Sequence, residues 1–188
     1  MDAMRICSWL WMSLLVVWVI LMLRRKETQE RESAGSRLSY SVPTVLAFYL
    51  LFGGNIPYAR LHLRILPPIQ PLQATGVALT VLGIAFAIWA RFYIGENWSG
   101  SVTVKIGHEL IRSGPYAWVR HPIYSGLLLA TLGTALVRDE VRGALAIPIL
   151  WIAFWIKSRI EEKFMMKTFG SAYTEYTKST GALIPRLH

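Results

Sequence analysis

"LQATGVALTVLGIAFAIWARFYI", residues 72–94, decides what kind of molecule this is. It is rich in Val, Leu, Ile and Ala and carries no charge before Arg91. As a helix rising 1.5 Å per residue it is long enough to cross the ~30 Å hydrocarbon core of a bilayer. It closes on Arg91, Phe92 and Tyr93, a basic and aromatic exit of the kind found at a cytoplasmic membrane face. The whole chain agrees: of its 188 residues 54% are hydrophobic and 16% charged, against about 25% charged in soluble domains. Mean hydropathy is +0.40. Eight Trp and eight Tyr supply anchors for a lipid–water boundary.

Towards the N-terminus, Ile6–Leu23 is a second apolar run, followed at once by "RRKETQERESAGSR" and no small-residue cleavage site. It reads as a retained span rather than a leader, with residues 24–40 as a cytoplasmic connector. Pro43–Asn55 is a further apolar run, and the proline-rich "IPYARLHLRILPPIQP" after it reads as an irregular outer loop. The division expected is a three-span region over residues 1–94 and a second region over 95–188, within one membrane domain.

Towards the C-terminus, a polar insert (95–121) precedes Tyr124–Val137, a run of only ~21 Å as helix. "RDEVR" (138–142) turns the chain, and Gly143–Ile156 returns with Pro148 inside it. The two read as a short helical hairpin. From Lys157 onward Ile160, Phe164, Phe169, Tyr173 and Tyr176 recur at helical spacing, which predicts an amphipathic helix along the cytoplasmic face or packed on the protein's own spans. The fold class expected is therefore an all-α integral membrane protein of about five transmembrane helices, with the N-terminus outside and the 95–121 loop and C-terminus cytoplasmic.

This frame also accounts for the net charge of +9. Arg5, Arg60, Arg64, Arg138 and Arg142 fall outside, and the other 15 of the 20 Lys and Arg fall inside, which is the positive-inside bias. There is no basic patch interleaved with stacking aromatics, so no nucleic-acid partner is expected. The single cysteine, Cys7, excludes an intramolecular disulfide and reads as a small buried hydrophobe. There is no His cluster with zinc spacing, no dinucleotide or phosphate-binding glycine loop, and no G-x-S-x-G elbow. Uncharged span interiors argue against an ion pathway.

Chemistry gathers at "GPYAWVRHPIYSG" (114–126). Pro122 suits the first position of a helix and makes His121 its N-cap, with Pro115 and Gly114 shaping the preceding turn. A helix start beside Arg120 and His121 favours an anion, although Arg and Tyr are also ordinary interfacial residues. His121 and Tyr124, three apart, share a face. The second group is "KSRIEEKF" (157–164), in which Glu161 can pair with Lys157 across one turn and Arg159 stands close by. Either this is a solvated charge cluster, or one glutamate turns inward to meet a cationic ligand. His108, in "GHELIRSGPY", is a third candidate.

"GHELIRSGPYAWVRHPIYSG" (107–126), with "EE" (161–162) and "FGSAYTEYTKSTGALIP" (169–185) after the hairpin, resembles the isoprenylcysteine carboxyl methyltransferase family. That family belongs to a wider set of membrane methyltransferases that includes phospholipid N-methyltransferases. The resemblance covers residues 92–186. It implies S-adenosylmethionine as methyl donor, bound at the mouth of the hairpin by His108, Glu109, Leu110 and Ile111, by Tyr116, and by His121, Pro122, Ile123 and Tyr124, with Glu161 closing the wall. The cofactor's carboxylate would suit the helix start and His121, and its amino group Glu161. It also implies a lipid or lipid-modified substrate: the carboxylate of a prenylcysteine-like compound, or a lipid amine. The family's substrate-holding Arg, one turn before the glutamate, is Lys157 here, with Arg159 two residues on, so Lys157, Arg159 and Glu161 are the catalytic candidates. A membrane reductase using NADPH and a non-enzymatic scaffold are the alternatives to be separated from this reading.

Overall fold

A computed structural model describes residues 2–22, 28–54, 56–67, 69–98, 103–105 and 109–186. Six helices carry the fold: α1 (Ala3–Met22), α2 (Ala34–Phe52), α3 (Gln70–Ile94), α4 (Pro122–Arg138), α5 (Val141–Phe169) and α6 (Ser171–Ser179). The expectation of a wholly helical chain needs one correction: β1 (Thr28–Arg31) and β2 (Thr103–Lys105) pair as a short antiparallel ladder. These are two polar segments, whose backbone groups satisfy one another.

The bundle is built around α4, with α3 on one side and α5 on the other; α1 packs on α3, and α2 on α5. Ala47 and Leu51 of α2, Leu128 of α4 and Leu150 and Phe154 of α5 form the main apolar core. The outer faces are apolar too: Leu15, Val16 and Val19 of α1, Val42 and Val45 of α2, and Ile152 and Trp155 of α5 are all exposed. Water would penalise so much continuous apolar surface, and lipid would not. The molecule is an integral membrane protein.

The expected bounds of the spans are revised at two places. By length and composition α1, α3 and α5 can cross a membrane, and α4 is a shorter apolar helix. The second helix does not start at Pro43: Ser33 caps it by accepting the Ser36 N–H, so residues 34–40 of the expected connector are helical and Pro43 lies inside. The return arm of the hairpin does not stop at Ile156. α5 continues for 29 residues through Pro148 and through the charged segment to Phe169, as membrane helices with flanking support tolerate. The separate tail helix from Lys157 is thus the end of α5, and the short α6 buries Tyr173 and Tyr176 against the protein itself.

α3 and α4 meet backbone to backbone. A Cβ on Gly83 would lie 2.4 Å from the Ala130 nitrogen, and one on Gly133 2.4 Å from the Gly76 carbonyl oxygen. Small residues of this kind let membrane helices approach closely. A polar thread runs beside the seam: Trp11 Nε1 donates to Thr134 Oγ1 at 2.9 Å, and Thr134 lies 3.2 Å from Thr80 Oγ1. Cys7 is fully buried against the same threonine. At the other end of α3, buried Arg91 donates to the Leu21 carbonyl of α1 and to Gly95, each at 2.8 Å. The residue read as a topology marker therefore ties α1 to α3.

Candidate active site

The mouth of the hairpin is shaped by the turn before α4. Gly114 adopts φ +58, and a Cβ there would lie 2.6 Å from the Tyr93 ring, so the bend requires glycine. Pro115 and Tyr116 are buried behind it. Val119 bridges to Gly181; the Arg120 N–H then donates to the Gly181 carbonyl (2.8 Å) and the His121 N–H to Ala182 (3.1 Å). Pro122 opens α4, His121 is its N-cap, and no side chain caps the helix.

His121 is buried, with a carboxylate on each ring nitrogen: Nδ1 is 3.2 Å from Glu161 Oε2, and Nε2 is 3.4 Å from Glu162 Oε1. Acceptors on both nitrogens require both to donate, as only the imidazolium can. Burial opposes that charge, but the hydrogen bonds to Glu161 and Glu162 outweigh it and raise the His121 pKa above its ordinary value. His121 stacks on Tyr124 with centroids 5.5 Å apart, and Tyr124 stacks on Phe154 at 4.8 Å. The Tyr124 hydroxyl donates to Glu161 Oε1 at 2.5 Å.

The adjacent glutamates do different things. Glu162 is structural: it takes both Nε (2.9 Å) and Nη2 (2.6 Å) of Arg120, with Arg159 at 3.7 Å on its second oxygen. Arg120 also donates to the Thr180 carbonyl, locking the end of α6 to α5. Glu161 keeps about a quarter of its side chain exposed, at 23%, and meets an imidazole and a phenol. Lys157, half-buried, lies one turn back, its Nζ 5.0 Å from the Tyr40 ring and 5.4 Å from the Tyr124 ring.

The structure thus brings together His121, Pro122, Tyr124, Glu161 and Lys157. Ile111, Tyr116 and Ile123 sit behind them in one apolar cluster with Ala90. Tyr116 accepts on its carbonyl from Tyr176, whose own hydroxyl is pushed up to about 12, chiefly by burial. Glu109 is exposed and Leu110 half-buried on the approach to the turn. Arg159 is held on the Glu162 side, away from Tyr124 and Lys157. His108 lies outside the described residues. Sequence reasoning missed Tyr40 and the part Arg120 plays, and it quoted the 180–183 segment for its resemblance without placing it against the cap of α4. The Ser33 cap was the readable signal for α2; nothing local in the sequence announces the other contacts.

A family model described as phospholipid methyltransferase matches residues 72–172, more than half of the chain. The chain belongs to this family. Three relatives share the name protein-S-isoprenylcysteine O-methyltransferase. That of Saccharomyces cerevisiae is 33% identical over 113 residues, covering 58% of this chain and 47% of the yeast protein. That of Tribolium castaneum is 32% identical over 126 residues (64% and 44%), and the human protein 31% over 117 residues (61% and 41%). The matched region thus spans less than half the length of these relatives. In fold, the chain is similar to a solved eukaryotic intramembrane Ras methyltransferase (isoprenylcysteine carboxyl methyltransferase), with a TM-score of 0.56 and 24% identity. That match covers 82% of this chain and 54% of the other.

Proposed function

We propose that this chain is a membrane-embedded methyltransferase that uses S-adenosylmethionine and methylates a carboxylate on a lipid-bearing, prenylcysteine-like compound. The observation that carries the reading is the His121–Glu161–Tyr124 cluster, which lies inside the segment matched by the family model. The relatives' shared name supports the acceptor. The family match also favours a methyltransferase over the reductase and scaffold alternatives.

The donor set fits a zwitterionic ligand. Glu161, whose side chain is partly exposed, would meet a cationic group, and the uncapped first turn of α4 offers amide donors to an anionic one. When bound, S-adenosylmethionine supplies an electrophilic methyl group on a sulfonium. His121 has both nitrogens committed to the glutamates, so its part is to hold Glu161 in place, leaving the anionic end to the α4 amides. Tyr124 fixes the other oxygen of Glu161 and walls the site. A carboxylate acceptor is already deprotonated at neutral pH and needs positioning rather than a base. Residues 95–188 carry the cofactor-binding region and 1–94 the remaining membrane region, with this mouth and the C-terminus on the cytoplasmic side and the N-terminus outside.

The test is transfer of a radiolabelled methyl group from S-adenosylmethionine by the detergent-purified protein, offered a synthetic prenylcysteine and phosphatidylethanolamine side by side. Base-labile label in the prenylcysteine is expected. Base-stable label in the phospholipid moves the acceptor to an amine. Absence of transfer, with no calorimetric binding of S-adenosylmethionine or S-adenosylhomocysteine, overturns the reading.

A further inference from the structure

Lys157 stands between two tyrosine rings, and only one of them comes from the region matched by the family model. Tyr124 is on α4; Tyr40 is on α2, outside residues 72–172. Both distances are within the ~6 Å range of a cation–π contact. Each ring is fixed at its hydroxyl by a carboxylate. Tyr124 donates to Glu161, and Tyr40 donates to Glu32 Oε1, whose other oxygen accepts from Ser36 Oγ at 3.0 Å. Ser36 in turn belongs to the capped first turn of α2. A phenol donating to a carboxylate is also more electron-rich, and its face holds a cation better. Tyr40 is buried, at 6% exposure, so its ring has little freedom to leave.

We propose that Tyr40 and Glu32 are positioning residues that fix the Lys157 ammonium for an anionic acceptor, making α2 the acceptor-side wall of the site. The inference rests on the methyltransferase reading above and deepens it. Lys157 and Glu161 are four apart on one face of α5, about one helical turn. The ammonium therefore lies one turn from the carboxylate assigned to the cofactor, with Tyr124 shared between them. A lysine is a point charge on a flexible stem and cannot aim itself as the planar fork of an arginine does. Two tethered rings supply the direction that the lysine lacks. A cation held there attracts a carboxylate and repels a protonated amine, so it selects the acceptor by charge.

The experiment compares the full-length wild type with Tyr40→Leu, Tyr40→Phe, Glu32→Gln and Lys157→Met. For each, four quantities are measured: kcat, KM for a synthetic prenylcysteine, inhibition by its neutral carboxamide, and calorimetric affinity for S-adenosylhomocysteine. Tyr40→Leu is expected to raise the acceptor KM about tenfold, the scale of one partly desolvated cation–π contact. It should narrow the preference for acid over amide to match, with kcat and S-adenosylhomocysteine affinity within about twofold. Tyr40→Phe keeps the ring and should fall between wild type and Tyr40→Leu; Glu32→Gln should resemble Tyr40→Phe; Lys157→Met should abolish the preference. An unchanged KM and acid preference in Tyr40→Leu, with an active wild type, overturns the inference and leaves the methyltransferase reading standing. So does a parallel loss of kcat and of S-adenosylhomocysteine affinity, which marks a merely structural role. If Tyr40→Leu does not fold, Tyr40→Phe and Glu32→Gln decide by the same KM split. A wild type that transfers no methyl group removes both readings together.

Discussion

The two ends of the α4–α5 hairpin each carry an adjacent pair of acids, and the pairs are buried to the same degree. At the turn the Asp139 side chain is 5% exposed and Glu140 22%; at the mouth Glu162 is 6% and Glu161 23%. Burial therefore does not distinguish the two ends. The donors do. Asp139, in the left-handed conformation at the end of α4, takes the Arg64 guanidinium at 2.8 Å and the Leu66 N–H at 2.7 Å. Glu140 meets Arg142, Arg138 and His62, and Arg142 also reaches the Gly53 carbonyl of α2. Guanidiniums, rigid and permanently charged, close that end. Glu162 follows the same pattern through Arg120. Glu161 instead meets an imidazole and a phenol, with an ammonium one turn away.

Breaking each acid in turn sharpens the contrast. Glu161→Gln should lower S-adenosylhomocysteine affinity by about 30-fold or more in calorimetry, the low end of what losing a partly buried, hydrogen-bonded charge costs, while the protein still purifies as a folded species. Asp139→Ala should do the reverse. It should lower thermal stability by about 1.5–3 kcal/mol through two lost bonds to a buried carboxylate, and leave affinity per folded molecule unchanged. An affinity loss in Asp139→Ala as large as that in Glu161→Gln would erase the distinction between the two ends.

A smaller effect is set by pH. The folded-state pKa of His121 is raised above its ordinary 6.5. Its stabilisation is therefore complete below the unfolded value and is lost as pH rises through the raised folded value. Melting temperature should fall across that window on the alkaline side of 6.5, and His121→Gln should flatten the curve. Arg159→Gln should change stability least, by about 0.5 kcal/mol or less, because Arg159 is 64% exposed and 3.7 Å from its partner.

How much of this was legible follows from range. Pro122 at the start of α4 and His121 as its cap are local matters, settled by proline's missing N–H and fixed φ. The approach of Glu161 to His121 was open to reasoning because both lie at the same end of one hairpin. The extent of α5 was not. Its pattern changes at Lys157 from apolar all round to amphipathic, which reads as the end of one helix and the start of another, whereas α5 runs through the change to Phe169. Tyr40 was beyond reach for a different reason: residues 34–40 are polar enough to read as connector, and their place beside Lys157 depends on α2 packing against α5. The glycine seam was equally silent, because small residues at seven-residue intervals show which positions could be close, not which helix they face.

The backbone bonds of Arg120 and His121 set a schedule for the molecule's birth. Their partners are Gly181 and Ala182, so when α4 leaves the ribosome the main chain of its own cap is still unpaired. It stays so through the synthesis of the returning helix and of α6. Until residue 183 emerges, the nascent chain carries a mouth with an unfinished rim. A chain stalled or clipped before Gly181 and Ala182 would leave the Arg120 and His121 N–H groups without these partners.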